Sequence, residues 1–530
     1  MAERLSLCMV VRDEEKDLPR CLDSVRGVAD EIVVVDTGSS DQTVAIARRY
    51  GAIVREIPWK NDFAAARNHS LQLASGDWVL YLDADEALLP DGRHLLPTLL
   101  SDPAAEGYFL TIQSLLGPRD EGQYQVDQIF RLFRNRPHYR FIGPIHEQIV
   151  SVIQNMTPGA VLLPSPLRIV HYGYLDEYVQ GKRKHQRNLR LLQDSLKDRP
   201  GDPFVLYNIG MQHVRMGADR QAKAALAASL AKAPAQAPWR PALIKWYAQT
   251  LSRLERWQAA LAVLGDGTRQ YPDYTDLHYL TGQVHAAVCQ WDAAIRCFET
   301  CIKLGPAPSP PYSGTEPDLG LGKAHYSRGR ALEEAGRCGD ARDAYTRAAS
   351  ARPGWMVPLV RLARLLAAQG DDRELLQVLQ GQFPGDSAAG LVMQAMLLAY
   401  AGRYRLAEER LRPLAAAGEM SRAAGYVYAV ALAKLGRCEE ALAICGQAGW
   451  QGSAFGPKLQ ALTLYCRLQL DDRAAVGELT ADPRGLTALY TDLAGLLWDE
   501  PAERLGQFLR QLPRNSLLSG FVTRERQAGG

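Results

Sequence analysis

No stretch of the 530 residues holds the ~18 or more uninterrupted apolar positions that a membrane span needs. The opening residues Met1-Ala2-Glu3-Arg4-Leu5 lack the basic and long apolar regions of a signal peptide, so no transmembrane segment is expected and the protein is expected to be cytoplasmic. Charge of one sign is also missing. Sixty-one Lys and Arg against 59 Asp and Glu leave a net charge of +2, which argues against a general nucleic-acid or membrane-surface binder. The nine cysteines form no paired framework, and their odd number leaves at least one free. Cys297 and Cys301 sit one helical turn apart, but no His or second Cys pair completes a zinc site, so they read as buried apolar positions in a reducing cytosol. Two phosphate-binding signatures are absent as well: the Gly-x-Gly-x-x-Gly fingerprint and the P-loop lysine motif.

What is present is an ordinary globular composition, 47% apolar and 23% charged, on a chain long enough for two to four domains. The first part alternates strand and helix signals. Leu5 to Val11 reads as a buried strand, residues 17–27 as an amphipathic helix on Leu18, Cys21, Leu22 and Val25, and Ile32 to Val35 as a second strand. Asp41 is placed to cap a helix through Tyr50, Ala52 to Ile57 forms a third strand, and Asp62 caps a helix from Phe63 to Ala74. Such alternation predicts an α/β domain with a mainly parallel, Rossmann-like sheet covered on both faces.

The next strand, Trp78 to Leu82, ends in Asp83-Ala84-Asp85-Glu86. Ligands of open α/β sheets bind beyond the carboxyl ends of the strands, and two acids at i and i+2 there can share one hard cation, Mg²⁺ or Mn²⁺. Taken alone, such a pair is more often a solvated acidic turn. Asp36, at the end of the second strand, offers a carboxylate to a base or ribose, and Arg67 lies on the third helix. These groups are expected to converge on one cleft.

Cys8 to Glu15, Val34 to Thr43, Asn61 to Asn68 and Leu82 to Glu86, in that order and spacing, resemble family 2 glycosyltransferases of the GT-A fold. The resemblance implies a nucleotide-sugar site that includes Val11, Arg12, Glu14, Asp36, Arg67, Asp83 and Ala84. It implies that Asp83 and Asp85 serve ribose and metal, with Asp85 the better direct ligand. His171, in Val170-His171-Tyr172-Gly173-Tyr174, resembles the late histidine that many GT-A enzymes use on metal or diphosphate, although a lone His is as readily structural. Inverting sugar transfer needs a base for the acceptor proton. Glu147 stands where family 2 enzymes carry their acceptor-side acid, His146 is the alternative, and Asp127 is held in reserve. Arg131 and Arg134 suit either a phosphate or a solvated strand face.

From Gly201 onward Ala, Leu and Arg recur at helical spacing, punctuated by Pro200, Pro234, Pro272, Pro306 and Pro353. The period near 34 is that of tetratricopeptide repeats, which are helical hairpins. Phasing on the prolines aligns Gly210, Gly282 and Gly329, then Ala222, Ala294 and Ala341, then Leu226, Phe298 and Tyr345. Weaker copies follow around Ala407 and Ala441, giving six or seven repeats, with an insert at 307–314.

The expected organisation is α/β plus all-α: a GT-A domain over 1–175, a basic helical linker with a solvated face over 176–200, a repeat solenoid over 201–510 and a frayed tail over 511–530. Stacked hairpins commonly take an extended peptide on their concave face, and a structural array or a homo-oligomer made through the repeats is the plainer alternative. The whole pattern resembles the sublancin-type peptide S-glycosyltransferases and related flagellin or peptide glycosyltransferases. That implies metal-dependent inverting transfer of a hexose from a nucleotide-sugar, a UDP-sugar first, to Ser, Thr or Cys of a peptide or protein. Two rivals remain: a saccharide or lipopolysaccharide-core acceptor, and a non-catalytic repeat scaffold.

Overall fold

The computed structural model describes residues 3–116, 123–173, 182–308, 312–383, 387–446 and 456–472. Tyr174, linker residues 175–181, insert residues 309–311, the expected end of the repeats near 510 and the tail 511–530 lie outside the described residues. The chain divides into two compact units, Met1–Arg352 and Pro353–Gly530. No helix among the described residues is long and apolar enough to cross a membrane.

The first unit begins with β1 (Leu5–Val11), α1 (Leu18–Ser24), β2 (Glu31–Asp36), α2 (Thr43–Arg49), β3 (Ile53–Glu56), α3 (Phe63–Leu73) and β4 (Trp78–Tyr81). It continues through β5 (Glu86–Leu88), α4 (Leu96–Leu100), β6 (Ala105–Leu116), β7 (Gln123–Arg134), α5 (Val150–Met156) and β8 (Val161–His171). The eight strands form one sheet in the order β3-β2-β1-β4-β7-β6-β8-β5. The four strands β3-β2-β1-β4 are parallel, as helical crossovers require. Beyond them β7 runs antiparallel to both β4 and β6, while β6 and β8 are parallel.

The central strands are buried on both faces because successive side chains feed different cores. Leu5, Leu7, Met9 and Val11 of β1 join one cluster with Trp78 and Leu80, whereas Cys8 joins Val33, Val79 and Phe133 in another. That arrangement leaves the carboxyl ends of β1, β2 and β4 side by side, with Val11 paired to Asp36 and Cys8 to Tyr81. Asp62 caps α3 by accepting from Ala65 N at 2.8 Å, as expected. Asp41 does not occupy the N-cap of α2, which falls on Gln42; its carboxylate instead accepts from Thr43 N just inside the helix.

The linker is helical from Lys182–Asp198, but its outcome differs from a merely solvated face. Leu189, Leu192 and Leu196 pack against Val205, Ile209 and Ile145. Seven helical hairpins follow among the described residues, four in the first unit and three in the second. In the hairpins phased above, the small residue is a matter of clearance. A Cβ on Gly210 would lie 2.5 Å from Leu226, one on Gly282 2.7 Å from Phe298, and one on Gly329 2.7 Å from Tyr345. The same offsets recur as Ala248, Ala260 and Leu264, and in the second unit as Ala363, Leu375 and Leu379 and as Ala395, Ala407 and Leu411, all buried.

The insert after Leu304 has a partner in the sheet. Val126 of β7 exchanges backbone hydrogen bonds with Thr315 at 2.8 and 3.1 Å, and Gly314 N donates to Asp127 at 2.6 Å. Lys245 from a repeat helix donates to Gly314 O and, at 2.9 Å, to Asp276.

Candidate active site

β4 delivers a run of acids to the carboxyl edge of the sheet, and the structure gives each acid a different partner. Asp83 accepts from Arg67 Nη2 at 2.9 Å and from Arg131 Nη2 at 3.4 Å. Arg131 also donates to Glu86 at 2.6 Å, and Glu86 in turn accepts from the Asp83 backbone N at 2.9 Å. Arg67 Nε donates to Glu147. The Tyr81 ring floors this ladder, 4.6 Å from the Arg67 guanidinium and 4.1 Å from that of Arg131. One guanidinium thus ties together Asp83 and Glu147, acids from segments 64 residues apart in the chain.

Burial works against charge throughout the ladder. Against it, Arg67 and Arg131 hold the Asp83 carboxyl far below the ordinary range. Burial, together with the charge of Asp83, pushes Glu86 up despite Arg131. Burial is also outweighed at Arg67, which Asp83 and Glu147 keep firmly protonated. Glu147 is 11% exposed, whereas Asp83 keeps 39% of its side chain open to solvent.

Asp85 lies on the other side of the loop. Its Oδ2 is 3.4 Å from His171 Nε2, and each side chain is 16% exposed. β8 brings His171 there through antiparallel pairing with Glu86 of β5, and Tyr172 N donates to Asp85 O at 3.0 Å. Ser114 Oγ lies 3.3 Å from His171 Nδ1, leaving Nε2 toward the acid. Burial opposes the imidazolium, but the hydrogen bond and charge of Asp85 outweigh it and raise the His171 pKa. Gly173 keeps this corner open, since a Cβ there would fall on Asp85 Oδ2 and 2.7 Å from His171 Nε2.

Among the described residues no group of three or more His, Cys, Asp and Glu side chains is gathered to hold a metal. Asp85 and His171 nevertheless fit a cation such as Mn²⁺ or Mg²⁺. They would supply one hard oxygen and one imidazole nitrogen, 3.4 Å apart, at a corner where a Cβ on Gly173 would intrude. Asp83 is committed to its two arginines.

The remaining expected residues are placed as follows. Asp36 is 2% exposed; its oxygens accept from Gly38 N and Ser39 N, both at 2.9 Å, and from Ser39 Oγ. These bonds shape the turn after β2. Val11 and Ala84 are buried, Arg12 is exposed at the strand end, and Glu14 N donates to Thr43 Oγ1 at 2.7 Å. His146 adopts the left-handed region at φ 52°, and its Nε2 is buried without a hydrogen-bond partner. Burial and the Arg215 charge pull its pKa down to about 4, against Glu147.

Three expectations are corrected. Arg131 is not on a solvated face: it is buried between Asp83 and Glu86. Arg134 is not on a solvated face either: its guanidinium donates to the carbonyls of Asp102 and Ala105 at 2.9 and 3.1 Å and lies 3.4 Å from Glu3. Asp127 belongs to the insert contact with Gly314, and burial raises its carboxyl pKa there. Sequence reasoning missed Glu86 and Tyr81 as parts of the ladder. Its one clue was their position in the β4 run, the same that marks Asp83.

These features define a class, an α/β domain with an acidic carboxyl edge joined to helical repeats, and comparison with known proteins sharpens it. Residues 6–141 match the glycosyl transferase family 2 domain, and residues 392–449 match the tetratricopeptide repeat. His146, Glu147 and His171 lie beyond the first match. The chain is 38% identical over 218 residues to a TPR repeat-containing protein of Synechococcus elongatus, covering 40% of this chain and 53% of that one. It is 26% identical over 218 residues to the SPbeta prophage-derived glycosyltransferase SunS of Bacillus subtilis, covering 40% and 50%. The chain therefore spans about half the length of these curated relatives. Among solved structures, the C-terminal part of a TPR repeat-containing protein from Cytophaga hutchinsonii matches 47% of this chain and 97% of its own, at 15% identity and a TM-score of 0.32.

Proposed function

We propose that the chain is an inverting glycosyltransferase that moves a hexose from a nucleotide-sugar, a UDP-sugar first, to Ser, Thr or Cys of a peptide or protein. One observation carries this reading: Asp83, Asp85, Glu147 and His171, from three segments, meet at the carboxyl edge of one sheet through Arg67 and the Asp85–His171 contact. The family 2 match over residues 6–141, which include Asp83, Asp85 and Arg67, supports it.

Asp85 and His171 would hold Mg²⁺ or Mn²⁺, which when bound would offset the charge of the departing diphosphate. Asp83, kept ionised by two arginines, accepts hydrogen bonds from the donor's ribose through its exposed side. Arg67 fixes Glu147 beside the donor acids, and the Glu147 carboxylate takes the proton of the acceptor hydroxyl or thiol. His146 is the alternative base; its lowered pKa leaves it neutral, but its Nε2 is buried without a partner. The repeats hold the acceptor peptide along their stacked hairpins.

The test is nucleotide release from a panel of nucleotide-sugars with Mg²⁺ or Mn²⁺, for wild type and Asp85→Asn. Metal-dependent release from one donor, lost in the variant, supports the assignment and identifies the donor. No release and no metal-dependent thermal shift with any donor would leave the protein as a repeat scaffold.

A further inference from the structure

The carboxyl edge of the sheet carries a second cationic feature, supplied from outside the α/β domain. Arg187, on the helix Lys182–Asp198, reaches back over the loop between β3 and α3. Its guanidinium carbon lies 5.3 Å from the centre of the Phe63 ring and 5.9 Å from that of Trp59. Those two rings pack edge to face at 4.7 Å, and Trp59 is itself fixed by a 2.9 Å hydrogen bond from Nε1 to Asn61. Phe63 opens α3, one helical turn before Arg67. The aromatic pair therefore sets a planar guanidinium beside the start of α3, on the carboxyl side of the sheet, ahead of any ligand.

Its own polar partners do not account for that placement. Nε and Nη2 donate to the neutral amide of Asn188 at 3.3 and 3.2 Å, and among the described residues no carboxylate is in ion-pair reach of Arg187. The nearest influential charge has the same sign. Partial burial first, and then the Arg12 guanidinium, both disfavour the Arg187 cation. Arg12 follows directly on β1, next to the strand that bears Asp83 and Asp85, and has only a loose 3.9 Å contact with half-exposed Asp13. Two guanidinium groups bearing on one another on the carboxyl side of the sheet are in an unfavourable state that a bound phosphate relieves with charge-assisted hydrogen bonds.

We propose that Arg187, with Arg12, binds the diphosphate of the donor, so that the first helix beyond the α/β domain completes the donor site. This rests on the nucleotide-sugar reading above. It adds that the ligand of the Arg187 corner is a nucleoside diphosphate and that donor affinity depends on the docking of this helix. The helix is held from its other face by Leu189, Leu192 and Leu196 against Val205, Ile209 and Ile145, which ties the position of Arg187 to the first repeat.

The experiment is calorimetric titration of the full chain, with Mg²⁺, using UDP and GDP, and uridine and guanosine as phosphate-free controls. Wild type, Arg187→Gln and Arg187→Lys are compared after thermal melts establish that they fold alike. For the nucleoside diphosphate that wild type binds, Arg187→Gln is expected to weaken affinity roughly tenfold to a hundredfold, with Arg187→Lys partly restoring it, while the matching nucleoside binds all three equally. Unchanged diphosphate affinity in Arg187→Gln would overturn the proposal. So would equal losses for diphosphate and nucleoside, which would make Arg187 a structural residue stacked on Trp59 and Phe63. If wild type binds neither diphosphate, the donor-site reading itself falls, a result distinct from a variant-specific one.

Discussion

His171 Nε2 lies 3.4 Å from Asp85 Oδ2, joining the end of the last strand of the sheet to the acidic loop after its fourth. The contact sits in a corner that Gly173 leaves open. Replacing Gly173 with Ala is expected to fill that corner while the fold persists. Stabilisation of the protein by a nucleoside diphosphate plus Mn²⁺ should then fall to the level seen with chelator, as should that of His171→Phe. Thermal melts with and without Mn²⁺ check this; full metal-dependent stabilisation in Gly173→Ala would move the metal elsewhere.

Arg67 is buried between Glu147 and Asp83, so Arg67→Met strands a nearly buried carboxylate at Glu147. Removing one partner of such a pair costs about 3–5 kcal/mol. The double variant Arg67→Met with Glu147→Gln should recover much of that loss. Urea unfolding of the single and double variants gives the comparison.

His146 supplies a pH dependence with a definite sign. Its folded pKa of about 4 lies below the ordinary 6.5, so the unfolded chain takes up this proton first as pH falls. The associated stability is complete above pH ~6.5 and is lost as pH drops toward 4, by on the order of 3 kcal/mol. His146→Asn, which also suits the left-handed backbone at this position, should lose less stability over that window. Denaturant midpoints at pH 7 and pH 4.5 measure the difference.

Within the repeats, Gly282→Ala places a methyl 2.7 Å from the Phe298 ring. Overpacking of this kind costs about 1–3 kcal/mol, and Phe298→Leu in the same chain should return part of it. If the single variant unfolds at the wild-type midpoint, the close approach of the two helices is wrong.

Lys245 and Asp276 form a buried pair, and Lys245 also holds the insert at Gly314 O. Lys245→Met is expected to cost about 3–5 kcal/mol and to release the insert from β7. Increased hydrogen exchange at Val126 and Thr315, with Arg67 and its neighbours unchanged, is the expected pattern.

Much of this was legible in the sequence because it rests on local rules. β1 begins and ends where its apolar run does, Asp62 caps α3, and the phased glycines lie where two helices come close enough to exclude a Cβ. Other features were not legible. β8 contains Pro164 and Pro166, which mask a strand pattern; it tolerates them where its register with β6 shifts between Phe109 and Thr111. The unpairing that proline forces is absorbed at an irregularity that no local pattern announces.

The sequence by itself determined the strand and helix alternation, the acids at the end of β4 and the period of the repeats, because hydrophobic spacing and turn chemistry act over a few residues. Only the tertiary structure decided what each charge does. It split Asp83 and Asp85 between two arginines and a histidine, spent Asp36 on its own turn, buried Arg131, and set Arg187 over the rings of Trp59 and Phe63. The reason is physical: a charge in a folded chain takes its role from the burial and counter-charges around it, and those come from segments dozens to more than a hundred residues away.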